Sequence, residues 1–146
     1  MALSEKQELE IIETFAFYAE AYHKKDNLAL ARICSPDVIG FGSGPDEVFQ
    51  GKNEFLVGVA RDFKQAKSVY LGFPAMSING EGRIAWVTCW SEFSAIIGDN
   101  QLRMLGRMTA VLKNTGRAWR FEQIHFSMPY EGQDAGQSFP GGTSGK

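Results

Sequence analysis

Two runs of strict two-residue alternation, over 101–112 and 119–128, constrain this chain more than any other feature. In the first, Arg103, Leu105, Arg107, Thr109 and Val111 fall on one face, and Leu102, Met104, Gly106, Met108, Ala110 and Leu112 on the other. That period belongs to a β-strand, whose successive side chains point to opposite sides. After turn chemistry at Asn114, Thr115 and Gly116, the second run sets Trp119, Phe121, Gln123, His125 and Ser127 against Arg120, Glu122, Ile124, Phe126 and Met128. A hairpin that keeps parity puts Arg107 and His125 on a shared face beside Thr109, Gln123 and Ser127. If a bent sheet turns that face inward, a cation, an imidazole and hydroxyls meet in a half-apolar hollow. Such a hollow is a ligand site.

The remainder of the chain supplies what such a sheet packs against. Over 4–25, Leu9, Ile12, Phe15, Ala16, Ala19 and Tyr22 recur at helical spacing, with Ser4 and Gln7 ordered as a capping box. Asn27 suits the cap of a short second helix through Leu28, Leu30, Ala31 and Ile33, which Pro36 ends. A short strand over 38–41, turn residues from Gly42 to Asp46 and a second strand over 47–49 follow. Gly51 and Lys52 open a third helix to about residue 66, with Phe55, Val59 and Phe63 on one face. Residues 69–78 are extended, Pro74 marking an edge or a bulge, and 83–97 form a long strand that turns at Gly98, Asp99 and Asn100. Helices first and then a three- or four-stranded antiparallel meander make an α+β fold.

A chain of 146 residues, 44% of them hydrophobic, supports one core. The reading is a single domain over 1–130 followed by a tail, 131–146, with five glycines and Phe139 as its one aromatic. Ordering each tail residue costs roughly 1–2 kcal/mol, against at most about 3 from burying one Phe, so the tail is expected to be mobile. A formal charge of −2 lacks the clustered cations that a phosphate backbone or an acidic membrane surface requires. Glu5, Lys6, Glu8 and Glu10 fit neither a signal peptide nor a spanning helix, so the cytoplasm is the expected compartment. Cys34 and Cys89 read as small buried hydrophobes, with no need of a disulfide. His23 and His125 lie far apart with no carboxylate at helical spacing, so neither a metal nor another cofactor is expected.

The loop Gly42, Ser43, Gly44, Pro45, Asp46, Glu47 with Gly51 after it; Ala85, Val87 and Thr88; Arg107, Met108 and Thr109; and Trp119 with His125, Phe126, Ser127 and Pro129 together resemble the SnoaL-like domains of the nuclear transport factor 2-like superfamily. These are relatives of ketosteroid isomerases, polyketide cyclases and the kinase association domain. The resemblance implies a cone in which a strongly curved antiparallel sheet wraps the long N-terminal helix, two further helices complete it, and a cavity opens at the wide end. It also implies homodimers formed through the sheet. Tyr18 falls where the isomerases carry a helix-borne tyrosine, while Gly42 stands near their base position and Asp46 and Glu47 follow later in the loop.

Three functions remain open: a small-molecule binder for a carbonyl or carboxylate compound, an isomerase, cyclase or dehydratase, and a non-catalytic dimerisation module. As catalytic candidates we take His125 or Asp46 to remove a proton beside a carbonyl, with Tyr18 or Arg107 holding the oxyanion. As ligand contacts we take Arg107, Ser127, Tyr22, Trp90, Trp119 and Phe41. Each has a plainer reading. Arg107 pairs with Glu92 or faces water, His125 is a hydrogen-bonded core residue, Asp46 closes its own turn, and the aromatics fill the core.

Overall fold

A computed structural model describes residues 2–141. Helix α1, Glu5–His23, begins at the expected capping box, with the Gln7 amide donating to Ser4 Oγ (3.1 Å) and the Ser4 amide to Gln7 Oε1 (2.9 Å). Helix α2, Asn27–Arg32, is capped one residue earlier than expected, by Asp26, which accepts the Ala29 amide at 3.0 Å. Pro36 does not end it. The proline lies inside β1, Cys34–Phe41, where pairing with the adjacent strand slips between Cys34 and Ile39, and an interrupted ladder tolerates a residue without an N–H.

The chain continues through β2 (Val48–Gln50), α3 (Lys52–Gln65), β3 (Ser68–Gly72), β4 (Ser77–Glu81), β5 (Ile84–Ile97), β6 (Asn100–Asn114) and β7 (Trp119–Ser127). The strands form one seven-stranded sheet in the order β2-β1-β7-β6-β5-β3, with β4 also paired to β5. This is larger than the expected meander, and β1 joins β7 in parallel. Phe15 of α1 meets Phe73, just beyond β3, at 5.2 Å and Phe121 of β7 at 5.1 Å. One side chain reaches both only if the intervening sheet bends around the helix. The fold is therefore the expected α+β cone.

Burial identifies the inner face. Val87, Cys89, Ser91 and Ala95 of β5 and Met108, Ala110 and Leu112 of β6 are buried, while Trp86, Trp90 and Leu105 are exposed. On β7 parity breaks. Leu112 pairs with Phe121 and Val111 with Gln123, leaving Glu122 as an extra, bulged residue. Trp119, Phe121 and Ile124 consequently all pack inward, and Gln123 and His125 take the outer side.

Residues 130–141 contain turns but neither helix nor strand, and Tyr130 and Phe139 are exposed. The end of the tail, 142–146, lies outside the described residues. Among the described residues no helix is long and apolar enough to cross a membrane.

Candidate functional site

Between α1, α3 and the inner face of the sheet lies a cavity of about 570 Å3, a size suited to a small organic molecule. Its walls follow from periodicity. On α3, Phe55, Val59 and Asp62 recur at i, i+4 and i+7 and share the face turned to the sheet. Helix α1 contributes Tyr18 and Tyr22, one helical turn apart and stacked with ring centroids 5.8 Å apart. The sheet contributes Ser91 and Phe93 from β5, Met104 and Met108 from β6, and Ile124 and Phe126 from β7. Gly106, between the two methionines, is where the Phe126 ring packs: an added Cβ would stand 2.3 Å from it.

The polar groups gather in two places. At the exposed rim, Arg61 spans the loop after β1, donating to both carboxylate oxygens of Asp46 (2.9 and 3.3 Å) and to Glu47 (3.1 Å). Glu47 in turn accepts the Gly44 amide at 2.9 Å. Hydrogen bonds from Arg61, and then its charge, hold the Asp46 carboxyl below its ordinary value.

Farther in, the Tyr22 hydroxyl donates to Asp62 Oδ2. Burial raises the Asp62 carboxyl above its ordinary value; the Tyr22 hydrogen bond lowers it, nearby Glu47 raises it and Arg61 lowers it. Burial also pushes both phenols upward, so Tyr18 and Tyr22 stay protonated and can donate. Tyr18 is 7% exposed, and neither its hydroxyl nor that of Ser91 bonds to protein among the described residues. Two phenols, a carboxyl of raised pKa and a serine inside aromatic walls can bind one polar group of a ligand and can exchange a proton with it.

The structure divides the expected site residues. Tyr18, Tyr22, Phe41 and Asp46 line the cavity. Arg107, His125, Ser127 and Trp90 do share a face, as the alternation implies, but it is the outer one. Arg107 pairs across the strands with Trp90 and Ser127, and its guanidinium donates to the Met128 carbonyl at 3.3 Å. The His125 ring meets Phe41 edge-on at 6.0 Å. The physical reason lies in the opposite set on β6, since Met104, Met108, Ala110 and Leu112 have more apolar surface to remove from water than Arg103, Arg107 and Thr109. Trp119 faces inward but belongs to the core, its indole N–H donating to Glu10 at 3.2 Å. Asp46 is clasped by Arg61 and 68% exposed, poorly suited to taking a proton inside the cavity.

Asp62 and Ser91 were not expected. Asp62 stands three residues after Val59, on the stripe that buries Phe55, and a carboxylate on an apolar stripe is a signal the sequence does carry. Among the described residues no three His, Cys, Asp or Glu side chains are grouped to hold a metal.

A bent sheet closed over a long helix, with a cavity between them and a third helix, defines the nuclear transport factor 2-like, or cystatin-like, class of α+β proteins. Within it the chain belongs to the SnoaL-like domain family, whose model matches residues 11–131. No curated protein matches it by sequence. Among solved structures it is similar to a candidate dehydratase of the nuclear transport factor 2-like family from Streptomyces avermitilis, with a TM-score of 0.79, 16% identity, and coverage of 87% of this chain and 99% of that one. It is also similar to a candidate aromatic ring hydroxylase from Novosphingobium aromaticivorans (TM-score 0.80, 16% identity, 88% and 92% covered). A superfamily protein from Salmonella enterica serovar Typhimurium aligns with TM-score 0.76 at 20% identity over 92% and 96% of the two chains. At these identities the likeness is one of fold.

Proposed function

We propose that this chain binds one small, mostly apolar molecule in its cavity and holds the ligand's polar group at Tyr18, Tyr22 and Asp62. The observation that carries this reading is that two phenols and one half-buried carboxyl line a cavity of about 570 Å3 whose sheet wall is mostly Phe, Met, Leu and Ile, the remaining charged groups lying on α3 and the loop after β1. Residues 1–130 are the binding unit in this reading and the tail has no part in it. The purified full chain, compared by native and denaturing mass spectrometry, is expected to carry a non-covalent mass. A bare protein whose melting temperature responds to no apolar compound at saturating concentration sinks the reading.

A second reading, proton-transfer catalysis by an isomerase or dehydratase, is favoured by the raised Asp62 carboxyl. Asp62 then takes the part expected of His125 or Asp46, and Tyr18 keeps its role as oxyanion donor. In that case Asp62→Asn leaves ligand affinity within about threefold while lowering turnover by about 10^2-fold or more. Equal turnover by the variant excludes it.

We also propose that the chain forms a homodimer through the outer face of the sheet, where Trp86, Trp90, Leu105 and Tyr70 are exposed without a covering helix. We further propose a reducing compartment such as the cytoplasm, which suits a chain whose two cysteines, Cys34 and Cys89, are both free thiols.

A further inference from the structure

We infer that the ligand carries a positive charge: the cavity is shaped and charged for a protonated amine on an aromatic or aliphatic body, and it disfavours a carboxylate. This deepens the binding reading above and rests on it. Four acidic side chains line the cavity, Asp46, Glu47, Glu54 and Asp62, against a single cation, Arg61. That cation is already engaged, its guanidinium divided between Asp46 and Glu47. Glu54 turns to the exposed Gln50 amide (2.9 Å). Asp62 is left facing the cavity with only a neutral phenol as partner on Oδ2, and Oδ1 accepts no bond from protein among the described residues.

A half-buried carboxylate whose nearby cation, Arg61, is hydrogen-bonded to two other carboxylates gains most from a ligand that supplies a counter-charge of its own. An ammonium group seated at Asp62 Oδ1 sits beside the hydroxyl edge of Tyr22, whose O–H already holds Oδ2, and forms a charge-assisted hydrogen bond to the carboxylate. Tyr18, a residue only 7% exposed whose hydroxyl bonds to no protein group among the described residues, lines the same cavity and offers a second acceptor for the ammonium N–H. The remaining walls, Phe55, Phe73, Phe93 and Phe126, take the apolar body. A carboxylate placed there meets Asp62 and Glu47 with no free cation to receive it.

Three probes with one common ring system separate the possibilities: 2-naphthylmethylamine, 2-naphthylmethanol and 2-naphthoate, titrated calorimetrically into the full chain at neutral pH. The amine is expected to bind about tenfold or more tighter than the alcohol, the scale of one charge-assisted hydrogen bond to a partly desolvated carboxylate, and naphthoate to bind weakest. Asp62→Asn, checked for folding by circular dichroism, is expected to erase the preference for amine, bringing the amine's Kd to that of the alcohol. The wild-type ranking stands without the variant should the variant not fold. Alcohol or naphthoate binding as tightly as the amine, or a preference that survives Asp62→Asn, overturns the inference and leaves the cavity reading intact. Failure of all three probes to bind overturns both.

Discussion

Asp62 has a phenol, not a cation, as its hydrogen-bond partner, and this sets how the protein responds to pH. Burial raises its carboxyl above the ordinary aspartate value. Between the ordinary and the raised value, the folded chain holds a proton that the unfolded chain has released, so this group's contribution to stability falls as pH rises through that window. Asp62→Asn removes the dependence. In urea titrations the variant is expected to gain more relative to the parent at about pH 7 than at about pH 4; an equal difference at both values contradicts a raised carboxyl. Tyr22→Phe deletes the donor that pulls the carboxyl down, so the Asp62 titration, followed by carboxyl carbon NMR, is expected to move higher still, with a stability loss of about 1 kcal/mol. An unmoved titration means that the bond is absent in solution. This pair was hard to read from sequence because its members stand 40 residues apart, beyond any spacing rule, and only the fold brings α1 and α3 together. Tyr22 was legible from helical spacing and Tyr18 from the family resemblance; the buried face of α1 is Ile11, Phe15, Tyr18, Ala21 and Tyr22, while Leu9 and Ile12 of the expected stripe are exposed. For Asp46 the turn setting was visible, but Arg61, which clasps it, lies on another element.

At the scale of elements, the long antiparallel strands and all three helices were legible because their periods persist over many residues and their turns announce themselves. The parallel seating of β1 against β7 was not, since it depends on a long-range pairing with no local mark other than the slip around Pro36. Gly40 is its one residue-level trace. An added Cβ would stand 1.7 Å from the Ile124 carbonyl oxygen and 2.9 Å from the Phe49 ring, and the first obstacle is backbone. Gly40→Ala is thus expected to force β1 away from β7 and to cost about 2–4 kcal/mol in denaturant unfolding. At Gly58, within α3, an added Cβ would meet nothing within 4 Å, and Gly58→Ala is expected to stabilise by about 0.5–1 kcal/mol through helix propensity. If both substitutions cost the same, close strand approach is not what selects glycine at position 40. The Glu122 bulge left no comparable trace, as neither Gly nor Pro accompanies it, and it is why Trp119 and His125, two-residue periodic in sequence, end on opposite faces.

For the whole molecule, what decides the placement of the site is which side of the sheet turns inward. The pattern on β6 contained the answer: Met104, Met108, Ala110 and Leu112 form the more apolar set, and the set with Arg103, Arg107 and Thr109 faces out. Turning Arg107, His125 and Ser127 outward leaves them on a face whose aromatic content an isolated domain does not explain. Trp86 is 48% exposed, Trp90 44% and Tyr70 55%, whereas three tryptophans account for all those in the chain and only Trp119 is used by the core. A 14-residue strand such as β5 is roughly 45 Å long at about 3.3 Å per residue. With its neighbours spaced about 4.8 Å apart, the face offers on the order of 700 Å2, close to the roughly 800 Å2 each partner gives to a stable interface. A second copy presents the same twisted surface and meets it in an isologous pairing. Replacing both exposed indoles, Trp86→Lys with Trp90→Lys, sets four like charges against one another across such an interface while removing nothing from the core. The double variant is expected to sediment as a monomer at micromolar concentration where the parent sediments as a dimer, and to bind the naphthyl amine with unchanged affinity because the cavity lies on the other side of the sheet. A parent chain that is monomeric at the same concentration, or a variant that stays dimeric, removes the outer face as the interface.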